Sequence, residues 1–259
     1  MNIKHINSNI KRLTLPYKDI YTSIYTIKTD DGVLLFDSGS FDDDAAKYTL
    51  PFLTETGVKK DELKYIYISH NHTDHVGGLK ELLKYFPDTV IVSQCSILKE
   101  KYDDYTVKIL SEGDKILGVL KVISIPGHTL DSSALLDTRS KTLITGDCLQ
   151  LYGIFGSGKW GSNIGYPDLH IEAINKLRNT EINMIITAHD YHPFGYKYEG
   201  NEEISKALDA CIQPLFAIKE IIESYPSLTN EQISELYNSN GKLPTLSAHV
   251  VEAVRNKML

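Results

Sequence analysis

The chain has 259 residues, 42% hydrophobic and 24% charged, which is ordinary globular composition at a length that buries a core without disulfide staples. Its 34 acidic and 27 basic residues give a formal net charge of −7. That argues against a dedicated binder of nucleic acid or anionic membrane, both of which need a basic surface. Cys95, Cys148 and Cys211 are odd in number and widely spaced with no C-x-x-C, so no disulfide framework is expected and a reducing cytoplasm is the default. Asn2 to Thr14 alternates polar and apolar residues instead of running like a signal peptide, and no apolar run approaches membrane-spanning length.

In chain order, the alternation over Ile20–Lys28, the Asp30-Asp31-Gly32 turn and Val33–Phe36 predict a β-hairpin whose second strand is buried on both faces. Ala45–Glu55 has helical spacing and stops at Gly57. Strands are expected at Tyr65–Ile68 and Thr89–Val92, with a short helix from Gly78 to Tyr85 between them. From Lys115 the pattern turns strand-rich, with Val119–Ile125, Ser133–Leu136 and Thr142–Thr145. A helix at Asp168–Arg178 and a strand at Met184–Thr187 follow. After Gly200 the pattern is helical: Ile204, Leu208, Ile212, Leu215, Ile218 and Ile222 form one stripe, Thr229 opens a second helix, and Leu246–Met258 forms a third. The expected organisation is a mixed α/β domain over residues 1–199 and a C-terminal helical region over 200–259.

The informative string is Ser69-His70-Asn71-His72-Thr73-Asp74-His75-Val76-Gly77-Gly78, directly after an apolar strand. Four potential metal ligands fall within six residues. In an extended or looping backbone alternate side chains share a face, so His70, His72 and Asp74 can converge, and a turn then swings His75 to a neighbouring point. Imidazole and carboxylate together suit zinc, iron or manganese better than calcium or magnesium. One such cluster is too small for two metals, and further candidates follow other apolar strands: His128 in Pro126-Gly127-His128-Thr129, Asp147 after Thr142–Thr145, and His189 after Met184–Thr187. Each is expected in a loop where rigid scaffold meets solvent.

With these residues the sequence resembles the metallo-β-lactamase-fold hydrolase superfamily, through H-x-H-x-D-H above all and over about Tyr21 to Asp190. The resemblance implies an α/β fold, a four-layer αβ/βα sandwich with its site along one edge, here carrying a C-terminal helical appendage. It implies two divalent metal ions, zinc first, with iron or manganese as alternatives. His70, His72 and His128 would hold one ion, Asp74, His75 and His189 the other, and Asp147 would bridge them. Asp37, in Phe36-Asp37-Ser38-Gly39, would orient the histidine-bearing loop; read from sequence alone it serves equally as a turn-initiating aspartate.

Such a site implies a binuclear hydrolase that uses a metal-bridging hydroxide, with Asp74 holding or shuttling the proton. His72 stands where flavo-diiron oxygen reductases typically carry a carboxylate. Only 41 residues lie between Asp147 and His189, which leaves no room for the inserted domain of the nuclease branch. Asp147 stands where zinc β-lactamases usually place cysteine, and Cys148 is read as packing. The remaining branch is the glyoxalase-II-like one. Gly156-Ser157-Gly158-Lys159-Trp160 resembles its glycine-rich segment with a substrate-binding lysine, Lys159, and reads equally as a flexible loop with a solvated lysine. Trp160, Tyr152, Phe155 and Tyr166 read either as the lining of a substrate pocket or as ordinary loop packing. His192 is weighed as an acid or base. The expected substrate is a small ester, thioester or lactone. The alternatives are phosphodiester hydrolysis of a small nucleotide or phospholipid headgroup, and a non-catalytic metal-binding sensor or scaffold. No nucleic-acid or membrane partner is expected, and the oligomeric state stays open.

Overall fold

The computed structural model describes residues 2–18, 20–151, 161–191, 195–241 and 245–259. They divide into two compact units: Met1–Ser124 with Ser133–Arg139, and Ile125–Ser132 with Ser140–Leu259. Residues 200–259 fall wholly inside the second unit.

The first unit is built on a seven-stranded sheet whose spatial order is the chain order: β1 (Ile3–His5), β2 (Ile10–Tyr17), β3 (Ile20–Thr29), β4 (Gly32–Phe36), β5 (Leu63–Ile68), β6 (Val90–Ser93) and β7 (Val107–Ile109). The first four pair antiparallel and the last three join in parallel. Parallel neighbours need crossovers, and helices supply them. Between β4 and β5 run α1 (Asp42–Asp44), a π-turn over Ala45–Thr49 and α2 (Leu50–Glu55). The sequence pattern reads Ala45–Glu55 as one helix; the structure interrupts it before Pro51, which has no N–H to continue the ladder. The helix does stop at Gly57, whose φ is +74°. Between β5 and β6 lie α3 (Thr73–Val76) and α4 (Leu79–Tyr85), and α5 (Ile97–Lys101) precedes β7. The antiparallel strands β8 (Lys115–Ile116), β9 (Leu120–Ser124) and β10 (Ser133–Asp137) complete the unit.

The hairpin of β3 and β4 forms as its alternation requires, and Val33–Phe36 is buried throughout. Ile66, Ile68, Leu79, Leu82, Leu83 and Phe52 lie in one apolar cluster, so the strand that leads into the histidine string and the helix that follows it are both fixed from behind.

The second unit pairs β11 (Thr142–Ile144) in parallel with β12 (Met184–Tyr191), with α6 (Pro167–Arg178) between them in sequence, and adds β13 (Gly195–Glu199) antiparallel to β12. Strand β12 runs four residues past the expected end at Thr187. Its register with β13 breaks between Ile186 and Tyr191, so His189 sits in an irregular strand segment and not in a loop. Helices α7 (Gly200–Ser224), α8 (Asn230–Ser239) and α9 (Ala248–Met258) follow. Thr229 caps α8 as its sequence suggests: Gln232 N–H donates to its Oγ1 while its own N–H donates to Gln232 Oε1. The apolar stripe of α7, with Leu215, Ile218 and Ile222, packs with Val250, Val251, Leu246 and Ile164. Among the described residues no helix is long and apolar enough to cross a membrane.

Candidate metal centre

In the first unit, β5 delivers the chain to a bend at His70, and His72 takes an extended conformation (φ −83°, ψ 152°) just before the single turn of α3. The string is therefore not extended as far as Asp74. Asp74 and His75 occupy consecutive positions of α3, and a helix separates neighbours by about 100°, which splits the four side chains into two pairs. His70 and His72 each bring a donor atom within 4.8 Å of the other, as do Asp74 and His75. The His70 ring lies 4.5 Å from that of His72 and 4.3 Å from that of His75, centroid to centroid. Asp74 Oδ2 is 3.4 Å from His75 Nε2. His70, Asp74 and His75 are buried, and His72 is the most accessible of the four.

Asp37 is hydrogen-bonded to this loop. It lies at the end of β4 with φ +60°, a conformation rare outside glycine but tolerated by aspartate. It accepts from Ser69 N–H (2.8 Å), from Ser69 Oγ (2.9 Å) and from His75 Nδ1 (2.7 Å). Burial pushes the Asp37 carboxyl above its usual value, opposed chiefly by the adjacent His75. In the neutral ring, with Nδ1–H committed to Asp37, His75 would present its Nε2 lone pair. The Ser69 hydroxyl has one proton. As it donates to Asp37, it accepts from His70 Nδ1 at 3.1 Å, which leaves the Nε2 lone pair of His70 for a ligand as well. Sequence reading overlooked Ser69, although a hydroxyl between a buried strand and the first histidine was a signal.

Gly77 and Gly78 serve close approach and not unusual dihedrals. Gly77 has φ −66°, yet a Cβ there would lie 1.8 Å from the Ser40 carbonyl oxygen, and one on Gly78 would lie 2.3 Å from that of Ser38. Through this contact the Ser38 N–H and hydroxyl both donate to the His75 carbonyl, at 2.8 and 2.9 Å, and the Gly78 N–H donates to Gly39 O at 3.3 Å.

In the second unit, β11 leads through Thr145 into Gly146-Asp147 beside β12, with the Ala188 N–H donating to Gly146 O. His189 Nε2 lies 3.1 Å from the Asp147 carboxylate and His128 Nε2 lies 3.8 Å from it. All three side chains are buried. His128 Nδ1 donates to the Asn163 carbonyl at 2.7 Å, which again leaves Nε2 as its acceptor atom. Its loop is held by Gly165 and Tyr166, whose N–H groups both donate to Gly127 O at 2.9 Å. Gly127 has φ +151°, and a Cβ there would meet the His170 ring at 2.5 Å. Burial, then the charge of His128, lowers His170 to about 4, so it packs as a neutral imidazole. Sequence reading left His170 without a role. Cys148 is buried, as its reading as packing requires. Lys159, Trp160, Tyr152, Phe155 and the Gly156-Ser157-Gly158 segment, together with His192, lie outside the described residues.

The donor set is imidazole and carboxylate. At His70, His75 and His128 an acceptor on Nδ1 aims Nε2 outward, which is the arrangement that metal-bound histidines require. The residues fit divalent zinc, iron or manganese.

The family model of the metallo-beta-lactamase superfamily matches residues 17–189, and the chain belongs to that superfamily. It is 33% identical to the uncharacterized protein YobT of Bacillus subtilis (strain 168), over 38% of this chain and 52% of that one. It is 31% identical to the hydroxyacylglutathione hydrolase of Citrobacter koseri, over 39% of this chain and 42% of that one. The chain thus spans about half the length of the curated relatives it matches. Among solved structures, the flavodiiron protein from Giardia intestinalis aligns with a TM-score of 0.65 and 18% identity, over 80% of this chain and 58% of that one. The DIM-1 metallo-beta-lactamase aligns at 0.63 and 16% identity, over 81% and 96%. At these identities the structural matches establish the α/β metallo-β-lactamase fold.

Proposed function

We propose that the chain is a binuclear metallohydrolase acting on a small ester, thioester or lactone. The observation that carries this reading is the donor set itself: four buried or half-buried side chains on the first unit and three on the second, with Nδ1 of His70, His75 and His128 engaged in a way that readies Nε2. In this reading His70, His72 and His128 hold one ion, Asp74, His75 and His189 the other, and Asp147 serves both. When bound, two such ions supply Lewis acidity and bring a water's pKa toward neutrality, zinc being the first choice.

The chain's own residues supply the rest. Asp74 is a carboxylate beside His75 and can take the proton released by the attacking water and return it to the leaving group. Asp37 and Ser69 keep the imidazoles in the required tautomers. Membership of the superfamily and the similarity to a hydroxyacylglutathione hydrolase support acyl chemistry. Hydrolysis of a thioester, an ester, a lactone and bis-p-nitrophenyl phosphate by zinc-, manganese- and iron-reconstituted protein tests the reading. Turnover of an acyl substrate that is lost on chelation is the expected result. Preference for the phosphodiester would move the assignment to phosphoester chemistry. No turnover of any of the four, by folded metal-loaded protein, would overturn catalysis in favour of a metal-binding sensor or scaffold.

A further inference from the structure

We infer that Gln150 is a positioning residue: its buried amide ties the loop of Asp147 to the imidazole of His128 by way of Asn163. The inference rests on the proposal that Asp147 and His128 are metal ligands. Gln150 is 4% exposed and follows Asp147 by three residues. Its Nε2 donates to the Asp147 carbonyl at 2.9 Å, and its Oε1 accepts from the Asn163 N–H at 2.8 Å. The carbonyl of the same Asn163 accepts from His128 Nδ1 at 2.7 Å. One side chain therefore joins two ligand-bearing segments that are 19 residues apart in sequence, by three hydrogen bonds in series.

Asn163 is an exposed residue, so an anchor on its inner side helps its carbonyl to face His128 steadily. Gln150 provides that anchor from the buried side. Two further bonds of this segment, among the described residues, run to other groups. Tyr191 Oη donates to Leu149 O at 2.6 Å, and Ser162 Oγ to Leu151 O at 3.3 Å, so neither holds the Asp147 carbonyl or the Asn163 amide. The primary amide at this length offers both a donor to Asp147 and an acceptor to Asn163.

The test uses the whole 259-residue chain and zinc alone as the probe. Gln150→Met keeps length and apolar volume and removes both bonds. Gln150→Glu keeps the acceptor for Asn163 and sets an oxygen against the Asp147 carbonyl. The expected results are a ~10–100-fold loss of zinc affinity in Q150M by chelator competition, the range seen when a partner of a ligand is removed, and a comparable loss in Q150E. In nitrogen-15 spectra of metal-free protein, His128 should show the Nδ1–H tautomer in wild type and in Q150E, and a mixture of tautomers in Q150M. A residue that only supports the fold would lower thermal stability while leaving the tautomer and the zinc affinity of the folded variants unchanged. That result would overturn the inference, as would a wild-type His128 protonated on Nε2. Should Q150M not fold, Q150L, which also removes both bonds, decides: unchanged zinc affinity there would equally overturn it. His128→Ala and Asp147→Ala separate the two proposals. If these bind zinc like wild type, the metal-ligand reading fails, whereas if they lose zinc and the Gln150 variants do not, only the role of Gln150 fails.

Discussion

Gly77→Ala isolates the contact that holds the histidine turn in place. Gly77 has ordinary helical φ, so alanine adds no dihedral strain; the whole effect is steric. The new Cβ would lie 1.8 Å from Ser40 O, 2.3 Å from Ser40 C and 2.6 Å from Thr73 O. All three are backbone atoms that cannot swing aside, so the Ser38–Phe41 segment and α3 must move apart by more than an ångström to restore ordinary contact. Three hydrogen bonds cross this contact, two from Ser38 to His75 O and one from Gly78 to Gly39 O. At about 1 kcal/mol each their loss amounts to about 3 kcal/mol. The Asp37–His75 bond, carried by the same segment, is displaced with them, and zinc affinity should fall ~10–100-fold. Gly113→Ala is the control: Gly113 has φ +85° but nothing within 4 Å of a Cβ, so it should cost about 1–2 kcal/mol of backbone strain and leave zinc binding alone. Urea unfolding of both variants, with chelator competition on the folded proteins, makes the comparison. A larger loss in G113A than in G77A, or a destabilised G77A with wild-type zinc affinity, would refute the steric argument.

Asp37→Asn keeps the shape but removes the charge that accepts three donors; about 2 kcal/mol of stability and at least tenfold in zinc affinity should go, read by the same two assays. His170 gives a pH signature. With its folded value lowered to about 4 from 6.5, the unfolded chain takes up a proton first as pH falls, so this group's contribution is present above about 6.5 and lost toward 4, by about 3 kcal/mol in all. His170→Leu, which cannot be protonated, should gain on wild type between pH 7 and 4.5 in metal-free urea titrations; a constant difference would show that His170 does not titrate this way. Thr229→Ala removes the cap of α8 and should cost about 1 kcal/mol with no change in metal binding.

Strand and helix positions near the site were legible because period-2 and period-3.6 patterns meet glycine and proline punctuation at Gly32, Gly57 and Pro87. The ligand candidates were legible because imidazoles crowd into one string and recur after apolar strands. Three features left no trace in residue spacing, although the family resemblance implies the second of them. Proline 51 divides a segment whose apolar spacing alone reads as one helix. The split of His70 and His72 from Asp74 and His75 depends on α3, a single turn too short to leave a periodic trace. The supports of His128 are backbone groups, and a backbone carbonyl such as that of Asn163 has no sequence signature. The C-terminal helices gain a structural role by the same route. Ile164 packs into their apolar cluster, and a Cβ on Gly161 would lie 2.0 Å from Thr245 O, so these helices back the segment from which Asn163 reaches His128.

The nine histidines of an acidic, disulfide-poor chain thus sort into five candidate ligands, one buried packing partner and three of no assigned role. The most direct test of the central claim is the metal content of zinc-reconstituted protein after removal of free metal, measured by mass spectrometry beside His70→Ala and Asp147→Ala. Two zinc ions per wild-type chain and a loss of metal in both variants are expected. A wild-type chain that retains none, or variants that retain as much as wild type, would contradict that claim.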